Sequence, residues 1–354
     1  MKNPLLKIIF IIFLSIGITT AINQKSIKKP TSEKIVKQPK SIQKPEQQTT
    51  KKYEISTKTP EFLNYPQTIE QLKKWNKEAP ELTEIGTYGK SSKGTELYYI
   101  RVNNKNIQNE KKPVVMVTAC IHGNEPWASS ITMAYIGNLL AEYSEKKETT
   151  DLINSRDIYF IPVVSPDSYM KNRLVDNVDP NRDFSSPNNP NHKSTPSVAA
   201  LTDFFWKIRP VAVISGHTFG RLFLIPYGDN YGKSFHEKEY TKIVGRMSEM
   251  TGYKKMHCAE LYSKPIQGSE VDWFYRNGAM SVVIEFGTHQ HVPTYDEIVS
   301  EYKKTKKAID HFIIESPQVK ITVADEEVDF SKNTGISRNY QKLLNGELAP
   351  IGPY

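Results

Sequence analysis

The sequence predicts an α/β domain: a mixed, mostly parallel sheet flanked by helices. Three observations carry that prediction. Apolar runs of strand length recur at residues 114–121, 157–164, 211–215 and 281–286. Helix-like segments at 126–143 and 195–206 separate them, and alternation of this kind builds parallel or mixed sheets. Glycine stands just past or near the end of three runs, at Gly123, Gly216 and Gly287. Strand ends of that sort are where open α/β sheets hold their sites.

Residues 1–21 read as a secretory signal peptide. Lys2 and Lys7 give a basic start, residues 8–18 are apolar apart from Ser15 and Gly17, and Thr19-Thr20-Ala21 offers a small-residue cleavage site. An uncleaved anchor is the alternative, but the run is shorter than the roughly 20 residues a spanning helix needs. No stable membrane insertion is expected after cleavage, and the expected location is secreted or periplasmic. Residues 22–58 read as a disordered basic linker, rich in Lys, Gln, Ser, Thr and Pro without apolar periodicity. That linker holds ten Lys and three Glu, a net of +7, and the leader adds +2. The whole chain carries +8, so residues 59–354 carry −1. The basic balance therefore belongs to the leader and linker. These basic residues lack interleaved aromatics, so no nucleic-acid partner is expected.

The folded domain is expected over 59–315. Its first helix covers 68–75, residues 86–94 are turn-rich, and 96–102 form a strand. The 114–121 strand breaks at Gly123 and restarts as a helix behind Pro126, a residue suited to a first helical turn. A strand at 157–164 leads into a turn-rich loop. Thr195 and Pro196 open the next helix, and the strands at 211–215 and 281–286 complete the set. Residues 316–354 are a C-terminal extension in which 319–323 has strand character. No internal repeat is present.

The chemistry-bearing residues cluster at the strand ends. His122 and Glu125 stand three residues apart on a strand-to-helix turn. At that spacing both can reach one metal ion. Zinc accepts His nitrogen and carboxylate oxygen and, when catalytic, leaves a position for water. A plain surface turn fits the pair equally well. His217, just past the 211–215 run, is placed either to complete a site with them or to serve structure alone. Glu285 lies in Val282-Val-Ile-Glu-Phe-Gly287. A carboxylate in so apolar a run is costly unless paired or functional. Burial would raise its pKa toward neutrality, which suits a general base; a core ion pair with an Arg is the other reading. Asn181 and Arg182 offer a donor and a planar fork for a carboxylate, and Arg173 lies on the same loop. A surface ion pair is the plain alternative for each arginine. Cys120 and Cys258 fit either a disulfide or buried free thiols, and no base for a Cys nucleophile is evident.

Taken in order, His122-Gly-Asn-Glu125, Asp179-Pro-Asn-Arg182, His217, Asp272-Trp273 and Glu285 resemble the zinc carboxypeptidases of the carboxypeptidase A type (funnelins) over about residues 63–315. The resemblance implies a zinc carboxypeptidase/phosphorylase-hydrolase-like fold. It implies one Zn2+ per chain, held by His122, Glu125 and His217, with Glu285 as general base. It also implies that Asn181 and Arg182 bind the substrate's terminal carboxylate, that Arg173 polarises the scissile carbonyl, and that Tyr262 covers the substrate. There are departures. Asn124 stands where many digestive members have Arg, and Tyr262 lies two residues further from Gly268 than the family pattern. Val271, near the family's specificity pocket, disfavours a strongly basic C-terminal side chain. No inhibitory prodomain of the digestive type is recognised, since residues 22–58 are too few to fold as one.

The activity implied is that of a secreted zinc metallocarboxypeptidase. Its substrates would be peptides or peptidoglycan stem peptides with a free C-terminal carboxylate. The His-Gly-Asn-Glu turn also occurs in related deacylases, so an amidohydrolase acting on small N-acyl amino acids is the alternative. A non-catalytic binding module is disfavoured by the full ligand set and Glu285.

Overall fold

The computed structural model describes residues 53–107, 112–262 and 264–323. The expected signal segment 1–21, most of the linker and residues 324–354 lie outside them.

The strands are β1 (Thr83–Lys90), β2 (Glu96–Val102), β3 (Val114–Ala119), β4 (Asp157–Ile161), β5 (Ala212–Thr218), β6 (Leu222–Ile225), β7 (Lys254–His257) and β8 (Met280–Phe286). They form one sheet in the order β1-β2-β4-β3-β5-β8-β6-β7. The centre, β4-β3-β5-β8, is parallel throughout. β1, β2 and β6 join antiparallel, and β7 runs parallel to β6. The helices are α1 (Tyr65–Glu78), α2 (Pro126–Glu142), α3 (Lys147–Ser155), α4 (Pro196–Ile208), α5 (Glu237–Thr251), α6 (Glu270–Arg276) and α7 (Tyr295–Glu315). Among the described residues, no helix is long and apolar enough to cross a membrane.

The elements follow from local chemistry. Asn64 caps α1 in a reciprocal box with Gln67, satisfying two free backbone donors. α2 is apolar on nearly every side and buried almost throughout, as expected of a helix covered on both faces. The Tyr135 hydroxyl on α2 donates to Asp310 of α7 at 2.6 Å, and Asn138 donates to the Lys58 carbonyl at 2.8 Å. On the other side of the sheet, Phe184, Phe205, Trp273 and Phe274 pack ring against ring, with Phe205 and Phe274 stacked at 5.4 Å. Each such pair adds about 0.5–1.5 kcal/mol beyond its buried area. This cluster fixes α6 against α4, which matters because α6 begins with a residue of the site.

Several expectations change. Residues 86–94 are not simply turns, because β1 runs through Lys90. Gly86 is there for closeness rather than for turning, since a Cβ on it would meet the Tyr99 hydroxyl at 2.6 Å. β5 runs on to Thr218, so His217 lies inside the strand and not beyond it. The apolar run stops at Ser215, but Gly216 and His217 keep pairing with Ile284 and Glu285. The folded body also starts before residue 59: Tyr53 and Ile55 are buried in the core, and the Tyr53 hydroxyl donates to Glu81. Residues 319–323 form no strand. Ile321 bonds the Gly278 carbonyl, and Val323 is buried, so this piece lies along the turn between α6 and β8.

Candidate active site

Four parallel strands deliver the site. The segment after β3 brings His122, and Glu125 follows at the start of α2. Gly123 is required by close approach: the 165–170 loop passes so near that a Cβ would meet the Ser168 carbonyl oxygen at 2.2 Å. The Met170 N–H donates to the Gly123 carbonyl at 2.7 Å, locking that loop to the turn. The loop after β4 carries Arg173, Asp179, Asn181 and Arg182. β5 and β8 contribute His217 and Glu285, direct cross-strand neighbours.

His122, Glu125 and His217 are all buried, with potential ligand atoms within 4.8 Å of one another. His122 Nδ1 lies 2.8 Å from Glu125 Oε1, and His217 Nδ1 lies 2.9 Å from Glu125 Oε2. The far nitrogens meet carboxylates as well: His122 Nε2 is 3.0 Å from Asp179 Oδ1, and His217 Nε2 is 2.6 Å from Glu270 Oε1. An imidazole that donates its Nε2–H to a carboxylate presents a lone pair at Nδ1. Two lone pairs then face the oxygens of Glu125, an arrangement stable only with a proton or cation between them. The donor set of two nitrogens and one carboxylate fits zinc with a position left for water.

The charges agree with this account. Burial works against the Glu125 carboxylate, but His217 and His122 outweigh it and bring its pKa down to about 2. Burial likewise opposes the His217 imidazolium, and the carboxylates of Glu125 and Glu270 outweigh it, so its pKa lies well above the ordinary value. Metal binding must displace that proton, so affinity falls as pH falls. Asp179 stays well below the usual carboxylate range because His122, Arg173 and Arg182 overcome its burial. Glu285 goes the other way. Burial pushes its pKa up to about 7; His217 opposes this and the Glu125 charge adds to it.

The remaining candidates lie on the loop after β4 and on the segment before α6. Arg173 reaches Asp179 at 3.1 Å and Glu125 at 3.4 Å, so its guanidinium stands beside the ligand cluster. Asn181 accepts the Glu270 N–H on Oδ1 at 2.8 Å, which leaves its NH2 to donate elsewhere. The Arg182 guanidinium lies over the Tyr262 ring, 5.2 Å from its centroid. Beside Tyr262, the side chains of Leu224, Cys258, Val271 and Val283 form an apolar cluster. Cys120 and Cys258 are free, buried thiols, both pushed up in pKa by burial. Sequence alone assigns no role to Asp179 within its motif and does not single out Glu270. The available signal was a pair of carboxylates flanking the motifs, Asp179 in a turn and Glu270 before Val271-Asp272-Trp273.

Fold and ligand set together define an α/β protein whose buried His-Glu-His cluster fits a zinc ion. The chain belongs to the zinc carboxypeptidase family (peptidase M14), whose family model matches residues 68–308. It is 23% identical over 264 residues to a zinc carboxypeptidase of Saccharothrix mutabilis subsp. capreolus, covering 60% of this chain and 59% of that protein. It is 24% identical over 279 residues to carboxypeptidase D of Mus musculus, covering 68% of this chain and 20% of that protein. The matched stretch thus spans less than two thirds of either relative. Carboxypeptidase A from Helicoverpa armigera has a similar fold, with a TM-score of 0.62 at 20% identity, covering 72% of this chain and 73% of that one.

Proposed function

We propose that this protein is a secreted metallocarboxypeptidase that hydrolyses the C-terminal peptide bond of peptides or of cell-wall stem peptides. The observation that carries the reading is the His122–Glu125–His217 ligand cluster, joined through Asp179 to the loop that bears Arg173, Asn181 and Arg182. Residues 1–21 support export on their sequence alone, and N-terminal sequencing of the mature protein would test it.

Zinc held by His122, Glu125 and His217 would supply Lewis acidity and a lowered pKa for attacking water. The chain's own residues do the rest. Arg182 forms charge-assisted bonds to the substrate's terminal carboxylate, and the Asn181 NH2 donates a further one. Tyr262, resting on Arg182, covers the bound C-terminal residue. The wall of Leu224, Val271 and Val283 favours an apolar side chain there. Glu285 accepts the proton of the attacking water and delivers it to the leaving amine. Arg173 holds the negative charge that develops on the carbonyl oxygen.

The test compares an N-blocked dipeptide with its C-terminal amide, each with and without chelator. A stem peptide and an N-acyl amino acid complete the panel. Chelator-sensitive cleavage that requires the free carboxylate is the expected result. Turnover of the N-acyl amino acid alone would replace this reading with the deacylase.

A further inference from the structure

Each histidine of the ligand cluster has an outward nitrogen as well as the one that faces Glu125. Here the outward nitrogen of His217 meets a residue with no other evident task. Glu270 opens α6, and its side chain is fully buried. Its Oε1 lies 2.6 Å from His217 Nε2, and its backbone N–H is bound by Asn181 Oδ1 at 2.8 Å. Its second oxygen, Oε2, is buried and has no hydrogen-bond partner among the described residues. Among those residues no Lys or Arg pairs with it, whereas Asp179, the partner of His122, is neutralised by Arg173 at 3.1 Å.

A buried carboxylate is destabilising unless a partner holds it, and the one charged partner of Glu270 among the described residues is His217. The aromatic packing of Phe274 and Trp273 against Phe205 keeps α6, and so Glu270, in place. The carboxylate is therefore held where its charge acts on one group, the His217 ring. A carboxylate behind a ligating imidazole fixes the tautomer and raises the basicity of the opposite nitrogen.

We propose that Glu270 is a positioning residue for the metal site: it holds the Nε2–H of His217 so that Nδ1 faces the metal as a lone pair, and it strengthens that ligand by its negative charge. This rests on the zinc-site reading above. Both ligating histidines are then backed by carboxylates, but unequally, with the stronger push on His217.

The test is zinc affinity of the full chain, measured by competition with a chromophoric chelator for wild type, Glu270→Gln and Glu270→Ala. Gln keeps the shape and an acceptor oxygen but removes the charge; Ala removes both. Zinc dissociation constants should rise in that order, by about tenfold for Gln and about a hundredfold for Ala. Thermal unfolding of the metal-free proteins is measured alongside. Both variants lose the buried Glu270–His217 pair and should melt lower. Zinc affinities are therefore compared at a temperature where every variant is fully folded, which separates a ligand effect from a folding effect. In metal-loaded wild type labelled with 15N-histidine, His217 should show a protected Nε2–H proton. That signal decides the matter if the variants fail to fold. Equal affinities for wild type and Gln, or a His217 protonated on Nδ1 in the loaded protein, would overturn the proposal while leaving the zinc site intact. No zinc binding by wild type would overturn the zinc-site reading itself.

Discussion

The two histidines of the site have the same surroundings in kind and different ones in charge. His122 leans on Asp179, which is partly open to solvent and shares its charge with Arg173. His217 leans on Glu270, which is sealed from solvent and shares its charge with no other cation among the described residues. Both rings turn Nδ1 toward one carboxylate, Glu125. The difference teaches that the two halves are tuned separately. The His122 half is tied to the loop after β4 through Asp179 and Arg173, and the His217 half is tied to the packed core through α6.

The comparison breaks most completely if either ring is removed. His122→Ala and His217→Ala should each abolish stoichiometric zinc, read by metal analysis after dialysis, and hydrolysis should fall to background. The next largest effect is Glu285→Gln. It should lower kcat by about 10²–10⁴-fold with zinc content unchanged, because a positioned base contributes on that order. The same residue sets a pH dependence. Its carboxyl is raised to about 7, and the working form is the ionised one. kcat/KM should therefore fall as pH drops through the pKa, at or below that value because a bound dication favours the carboxylate. With zinc kept saturating, this acid limb should vanish in what activity Glu285→Gln retains.

Arg182→Ala should raise KM more than it lowers kcat, costing about 1.5–3 kcal/mol in kcat/KM for a free-carboxylate substrate, as loss of a charge-assisted bond does. The same change should be nearly silent against a C-terminal amide. Asp179→Asn sharpens the contrast between the two halves. It weakens zinc binding and also frees Arg173, so its effect on turnover should exceed its effect on affinity, the reverse of Glu270→Gln. The smallest effect concerns Cys120 and Cys258. Both are buried with raised pKa values, so a thiol reagent should label neither in the native protein and both after denaturation.

Much of this was legible in the sequence because it is local. Strand runs at 114–121 and 281–286 announced β3 and β8, and Gly123 with Pro126 marked the turn that holds His122 and Glu125. What was not legible depends on register and packing. His217 was expected beyond its strand, because hydrophobicity alone cannot show that polar residues continue a ladder. β1 reads as turns in the sequence because its glycines look like breakers, when Gly86 in fact makes room for Tyr99 and Gly89 for Ala200. Glu270 was passed over because its importance comes from His217, 53 residues away, and from the aromatic cluster that places α6. β6, β7 and α5 were not anticipated either. Short strands and an amphipathic helix in a polar stretch gain their identity from the sheet edge they cover.

The central claim is that His122, Glu125 and His217 hold a zinc ion that makes this cleft a carboxypeptidase. The most direct measurement is zinc content together with hydrolysis of an N-blocked dipeptide before chelation, after chelation and after zinc is restored. About one zinc per chain is predicted, as a single three-ligand site requires. Release of the C-terminal residue should disappear with the metal and return with it. Cleavage that persists in metal-free protein, or a purified chain that takes up no zinc, would contradict the account.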